Sequence, residues 1–201
     1  ASDVYKRQAI NMVFVNEAWN GTGEIVVYSN YHKYWLDRER KIKNPLFDVF
    51  SGKILDLKDK KPSAIKYFYN LLDCEICPGV TICVVPSSNA EKRESGIGKL
   101  GEMLAANGRD NKVYFLRRSH SINKLATGGS RNLSVHMQSI DTVEDIDISG
   151  DIVLLMDDVT TTGNSLYVCK EILLNRGAAN VEMFALGKAI SVSYTHLRAH
   201  E

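Results

Sequence analysis

A chain of 201 residues, 44% apolar and 24% charged, is long enough for one domain with a sizeable core and has the composition of an ordinary globular protein. Its formal net charge of +1 removes any bulk electrostatic reason to expect a nucleic-acid coat or a membrane surface as partner. No apolar run approaches the roughly 20 residues of a spanning helix and no h-region of a secretory signal is visible near the N-terminus, so a cytoplasmic protein is the expectation.

Taken in chain order, the first eight residues (ASDVYKRQ) lack apolar periodicity and resemble translated sequencing-adapter sequence. Glu24 to Ser29 (EIVVYS) reads as a strand. Residues 30–60 are charged and aromatic without a clear period; within residues 20–60, Tyr28, Tyr31, Tyr34 and Trp35 are read as packing aromatics ahead of base-stacking ones. Pro62 suits a first helical turn. After it Ile65, Phe68, Tyr69 and Leu72 fall at i, i+3, i+4 and i+7, one apolar helix face. Cys74 and Cys77 have the spacing of half a zinc site, but four ligands are needed and no second pair follows, so the cysteines, with Cys83 and Cys169, are read as packing residues.

Pro78-Gly79 ends that helix, and Val80 to Val85 (VTICVV) is short and apolar enough for a buried strand. Pro86-Ser87-Ser88 and a polar stretch follow, then Ile97, Leu100 and Leu104 mark a helix closed near Asn107-Gly108. Lys112 to Leu116 (KVYFL) reads as another strand. Arg117 to Arg131 is polar and aperiodic, long enough to be a functional or mobile loop. Asp151 to Met156 (DIVLLM) reads as the next buried strand, and Leu166, Cys169, Ile172 and Leu173 as the face of the following helix, which Gly177 ends. Val181 to Leu186 (VEMFAL) is the last strand. Residues 192–201, which include His196 and His200, again look foreign. Strands alternating with helices imply an α/β domain with a parallel sheet, spanning residues 9–191 as a single unit with residues 1–8 and 192–201 as non-native tails.

The segment between the strand at Met156 and the helix near Asn164 carries the chemistry. Backbone N–H groups at a helix N-terminus favour an anion. Thr160, Thr161, Thr162 and Ser165 add hydroxyls, and Gly163 permits close approach of backbone to a phosphate. Asp157 and Asp158 would repel that phosphate unless they bind hydroxyls or a metal. A ribose 5-phosphate satisfies both demands.

The run VLLMDDVTTTGNS (Val153 to Ser165) resembles the phosphoribosyl pyrophosphate (PRPP) motif of type I phosphoribosyltransferases, in which apolar residues precede two acidic residues and a Thr-Thr-Gly-x-Thr/Ser loop. Val84-Val85-Pro86-Ser87-Ser88 is similar to the family's pyrophosphate loop. Lys92, Arg93, Gly96 and Gly98 resemble the basic, glycine-containing start of a helix in competence-protein F-type members. Residues 117–131 stand where the family has its flexible catalytic loop. Two features depart from the pattern: the sequence holds a single CxxC where the competence-type proteins carry a zinc ribbon, and the pyrophosphate loop lacks the family's usual run of glycines near Ser88.

The resemblance implies a three-layer α/β fold, a mostly parallel central sheet flanked by helices with a flexible loop. It implies transfer of phosphoribose from PRPP to an acceptor such as a nucleobase, releasing pyrophosphate, as in nucleotide salvage. Asp157 and Asp158 would be catalytic and hold the ribose. Val159, Thr160, Thr161, Thr162, Gly163, Asn164 and Ser165 would hold the 5-phosphate. Ser87, Ser88, Lys92, Arg93, Arg117 and Arg118 would serve the pyrophosphate. Mg²⁺ is the expected cofactor, carried by PRPP rather than by a protein cage, with Asp157 or Asp158 as the carboxylates that could touch it. Expected partners are PRPP and a small-molecule acceptor, with no membrane or direct nucleic-acid binding and with a homodimer left open. The alternative is a PRPP-binding regulatory or accessory domain without turnover, linked to DNA uptake by analogy with the competence proteins.

Overall fold

Residues 12–89, 94–119 and 139–190 are described by the structure, a computed structural model. The strands are β1 (Ile25–Tyr31), β2 (Trp35–Asp37), β3 (Ile42–Lys43), β4 (Thr81–Val84), β5 (Asp110–Asn111), β6 (Leu116–Arg118), β7 (Ile140–Thr142), β8 (Ile152–Thr160) and β9 (Asn180–Ala189). Five of them form one sheet in the order β1-β9-β8-β4-β5, every neighbouring pair parallel. The pairs β2/β3 and β6/β7 are small antiparallel ribbons.

The helices are α1 (Val49–Lys58), α2 (Pro62–Leu72), α3 (Gly96–Ala105) and α4 (Asn164–Asn175). Their starts follow from local chemistry. The Asp48 carboxylate accepts the Ser51 N–H at 2.7 Å and Ser95 Oγ accepts the Gly98 N–H at 3.0 Å, each satisfying an orphan donor of a first turn. Pro62 stands in the first turn of α2, where its missing N–H costs nothing.

Strand alternation divides the sheet's side chains between two cores. Ile82, Val84, Leu154, Met156, Phe184 and Leu186 face Ile54, Leu57, Phe68, Leu72, Leu100 and Leu104 of α1, α2 and α3. Cys83, Val85, Val153, Leu155, Met183 and Ala185 face Leu166, Cys169 and Leu173 of α4. The result is a three-layer α/β architecture with a parallel central sheet between helices. The last turn of α1 is locked against the first turn of α3, because a Cβ on Gly96 would overlap the Leu57 carbonyl; only glycine allows that approach.

Three sequence expectations shift. The strand expected at Lys112–Leu116 is a turn between β5 and β6, closed by Phe115 N–H donating to the Lys112 carbonyl at 3.0 Å. Val113 and Phe115 are buried there on opposite sides of the sheet, which mimics strand alternation in the sequence. The expected loop from Arg117 begins later, since Arg117 and Arg118 pair in β6 with Asp141 and Ile140. The segment left unassigned before residue 60 contains β2, β3 and α1. Residues 120–138, which hold the rest of the expected flexible loop, and both expected tails lie outside the described residues. No helix among the described residues is long and apolar enough to cross a membrane.

Candidate functional site

The strand expected to end at Met156 continues to Thr160. β9 is ten residues long and keeps pairing with it: Asp157 opposite Ala185, Val159 opposite Gly187, Thr160 opposite Lys188. The acidic pair therefore sits on a sheet strand at its C-terminal end instead of on a loose loop. Loops at that edge of a parallel sheet are where such folds place ligands.

Pairing on the strand sends the two carboxylates to different neighbours. Asp158 Oδ1 meets Lys58 Nζ, at the end of α1, at 2.9 Å. Asp157 lies near Arg118 and Cys169 and accepts the Asp158 N–H on Oδ1 at 2.8 Å. Burial pushes the Asp157 carboxyl well above the usual carboxylate range and the Asp158 charge pushes the same way, against weaker opposing pulls from the Asp158 N–H, Lys58 and Arg118. The Lys58 ammonium is raised as well, which favours its charged form. Partial burial alone would depress its ammonium, yet Asp158, with Asp157 and Tyr31 adding, lifts it above its ordinary value.

Beyond Thr160, which is buried, Thr161 and Thr162 are exposed and Asn164 and Ser165 half-buried. Gly163 precedes α4 with φ +83°, a left-handed conformation that favours glycine, and provides no side-chain cap to the first turn. It packs beneath Ile25 and Tyr167. Val159 is half-buried against the core shared by α1, α2 and α3. The segment is thus anchored at Thr160 and Gly163 and open at the two threonines, with the positive end of α4 behind it.

The neighbouring loop after β4 is built differently. Val85 N–H donates to the Met156 carbonyl at 2.9 Å, bringing Pro86-Ser87-Ser88 beside the acidic pair. Arg118 reaches this loop: Nε donates to the Ser87 carbonyl at 3.2 Å, Nη2 to the Pro86 carbonyl at 3.5 Å, and Nη1 to Ser139 Oγ at 2.6 Å. Burial pulls the guanidinium below its ordinary value, while Cys169 and Asp157 act the other way. Ser87 Oγ accepts the Asn89 N–H at 3.2 Å. Ser87 and Ser88 are half-buried and Arg117 is exposed. Arg118 thus braces the loop through its carbonyls. Lys92 and Arg93 lie outside the described residues.

Lys58 is the residue that sequence reasoning missed; it lay in the segment without a readable period. The aromatics in and just before that segment pack on one another: Tyr28 stacks on Phe50 with centroids 5.7 Å apart, and Tyr34 meets Trp35 and Phe47 edge-on. A cleft of about 530 Å³ lies at the other end of β8 and α4, lined by Glu144, Asp145, Ile146, Asp147, Asn175, Arg176 and Gly177. Three carboxylates against one guanidinium make it a poor place for a phosphate. Among the described residues no three His, Cys, Asp or Glu side chains gather to hold a metal.

No protein-family model matches the chain, and no curated protein sequence matches it. Among solved structures it is similar to a hypoxanthine phosphoribosyltransferase from Trypanosoma cruzi in a ternary substrates complex, at 12% identity over 72% of this chain and 74% of that chain, with a TM-score of 0.35. It is also similar to a hypoxanthine phosphoribosyltransferase from Staphylococcus aureus, at 14% identity over 70% of this chain and 76% of that chain, with a TM-score of 0.38. Scores this low carry no argument about chemistry, which rests on the chain's own geometry.

Proposed function

We propose that the segment from Asp157 to Ser165 binds PRPP and that the protein transfers its phosphoribose to an acceptor, releasing pyrophosphate. The observation that carries this reading is the junction itself: two adjacent carboxylates fixed on the end of β8, followed within a few residues by exposed threonines and a left-handed glycine at the start of α4. The 5-phosphate sits at the amides and hydroxyls of Thr161 to Ser165, where the helix terminus favours an anion. The ribose hydroxyls donate to the carboxylates of Asp157 and Asp158.

Transfer breaks the bond from C1 to the pyrophosphate oxygen, so positive charge grows on the ribose ring and negative charge on the leaving group. The site acts by holding the sugar in line for the acceptor and by presenting fixed charge to both ends. The acidic pair lies on the ribose side and stabilises the ring cation. The loop of Ser87 and Ser88, held in place by Arg118, and the basic residues Arg117, Lys92 and Arg93 serve the pyrophosphate side. The donor set suits a Mg²⁺ carried by the substrate: two carboxylates, one of them engaged by Lys58, could hold such an ion only in part. Asp157 or Asp158 would touch it, and the ion would neutralise charge on the pyrophosphate.

Calorimetric titration with PRPP and Mg²⁺, followed by a screen of nucleobases for pyrophosphate release, tests the reading. Saturable binding with release from one acceptor is the expected result; absence of binding contradicts it. Binding without release from any acceptor would favour a regulatory or accessory PRPP-binding domain, a reading consistent with Arg118 being engaged by the Ser87 and Pro86 carbonyls.

A further inference from the structure

The proposed site needs its two aspartates in a defined orientation, yet adjacent carboxylates repel each other and turn away from one another along a strand. We infer that Lys58 is the positioning residue of the acidic pair: its ammonium fixes Asp158 through Oδ1, leaves Oδ2 as the acceptor for a ribose hydroxyl, and keeps a positive charge beside Asp157. This inference rests on the PRPP reading of the site.

The geometry is specific. Lys58 Nζ lies 2.9 Å from Asp158 Oδ1 and 6.0 Å from the centre of the Tyr31 ring, so the side chain lies between an aromatic face and a carboxylate, two groups that attract a cation. Its backbone is equally defined. Lys58 closes α1 immediately after Leu57, which is fully buried, whose carbonyl accepts the Lys60 N–H at 2.8 Å, and against which Gly96 packs without room for a Cβ. A cation in the last turn of a helix is also favoured by the helix dipole. Hence α1, which contributes no residue to the phosphate loop, delivers one charge to the sugar side of the site.

The groups that face the pair are Lys58 and Tyr31 on one side and Arg118 on the other, with Cys169 near Asp157. Of the two cations, Arg118 is already engaged by Ser139, Ser87 and Pro86. Lys58 is the one in direct contact with a carboxylate of the pair.

Wild-type protein, Lys58→Met and Lys58→Arg should be compared in two measurements. One is calorimetric affinity for PRPP with Mg²⁺; the other is the titration midpoint of the Asp157 carboxyl by carbon-13 NMR without ligand. Loss of a charged hydrogen-bonding partner is expected to weaken PRPP binding by about 10-fold or more in Lys58→Met. The Asp157 midpoint should move to higher pH, because the nearby positive charge is gone. Lys58→Arg should recover both, and it keeps the question answerable if Lys58→Met does not fold. Wild-type affinity in a folded Lys58→Met overturns the inference. So does a loss that Lys58→Arg fails to recover while the Asp157 midpoint stays put, which is the signature of packing alone. If the wild-type protein itself does not bind PRPP, the phosphoribosyl reading fails. The NMR measurement still decides whether Lys58 acts on the pair, since an unmoved Asp157 midpoint refutes it.

Discussion

The two ends of β8 carry the same pair of residue types in different settings. At its start Asp151 Oδ2 accepts from Lys112 Nζ at 2.6 Å and from Thr81 Oγ1 at 2.8 Å, and Lys112 Nζ also donates to the Asp147 carbonyl at 2.6 Å. At its end Lys58 meets Asp158 alone, on one oxygen, beside a second carboxylate and an exposed threonine segment. The Lys112 and Asp151 side chains are 21% and 19% exposed, those of Lys58 and Asp158 39% and 23%. The first pair closes a hydrogen-bonded knot that ties β4, β8 and the turn after β5 together. The second is more open to solvent and leaves an acceptor oxygen outside the ion pair. A lysine–aspartate contact thus has no fixed meaning: what surrounds the carboxylate decides whether it holds the fold or faces a ligand.

The contrast breaks if the wrong end of the strand answers to PRPP. Asp158→Asn should weaken PRPP binding about 10- to 100-fold, the worth of one charged hydrogen bond, with little change in melting temperature because Lys58 can be solvated; calorimetry and a thermal melt read both. Asp151→Asn should do the reverse. Replacing the charged acceptor of Lys112 and Thr81 by a neutral amide costs about 2 kcal/mol, a fall of roughly 4–8 °C for a chain of this size, with PRPP affinity within about 2-fold of wild type. If Asp151→Asn weakens binding as much as Asp158→Asn, the two ends are not functionally distinct.

Gly163→Ala sharpens the same contrast at the loop. A side chain at φ +83° that also meets Ile25 costs about 1–2 kcal/mol and should lower both melting temperature and PRPP affinity, because anchoring and binding share that residue. A further effect concerns pH. Folding raises the proton affinity of Asp157 above that of the unfolded chain, so its contribution to stability is full in acid. It is lost as pH rises from about 4, the ordinary carboxylate value, through the folded-state value. Asp157→Asn removes the titration, so its melting temperature relative to wild type should climb as pH is raised from 5 to 9. A difference that stays flat over that range would show that Asp157 ionises as readily in the folded protein as in the unfolded chain.

Much of this site is legible in the sequence because its parts are contiguous. Asp157 through Ser165 combine a buried strand, two acids, hydroxyls and a glycine, and each residue type has a local physical reason to be there. The sheet and the helices at Pro62–Leu72, Gly96–Ala105 and Asn164–Asn175 follow from apolar spacing in the same way. The helix Val49–Lys58 is hidden because its inward face holds Ser51 with Ile54 and Leu57, while Val49 is 78% exposed, so the stripe lacks contrast. Lys58 goes unread with it, since its partner lies 100 positions away and only tertiary packing, of Ile54 and Leu57 on the sheet and of Gly96 on Leu57, brings it near. The turn at 112–115 reads as a strand because burial of Val113 and Phe115 on opposite sides of the sheet imitates the strand period.

Amide chemical-shift mapping during titration with PRPP and Mg²⁺ tests the site most directly. The shifts should concentrate at Thr161 to Ser165 and at Asp157 and Asp158, with Lys58 moving in step and the acidic cleft of Glu144 to Asp147 silent. Saturating shifts confined to that cleft, or none anywhere, would contradict a phosphoribosyl site at the junction of β8 and α4.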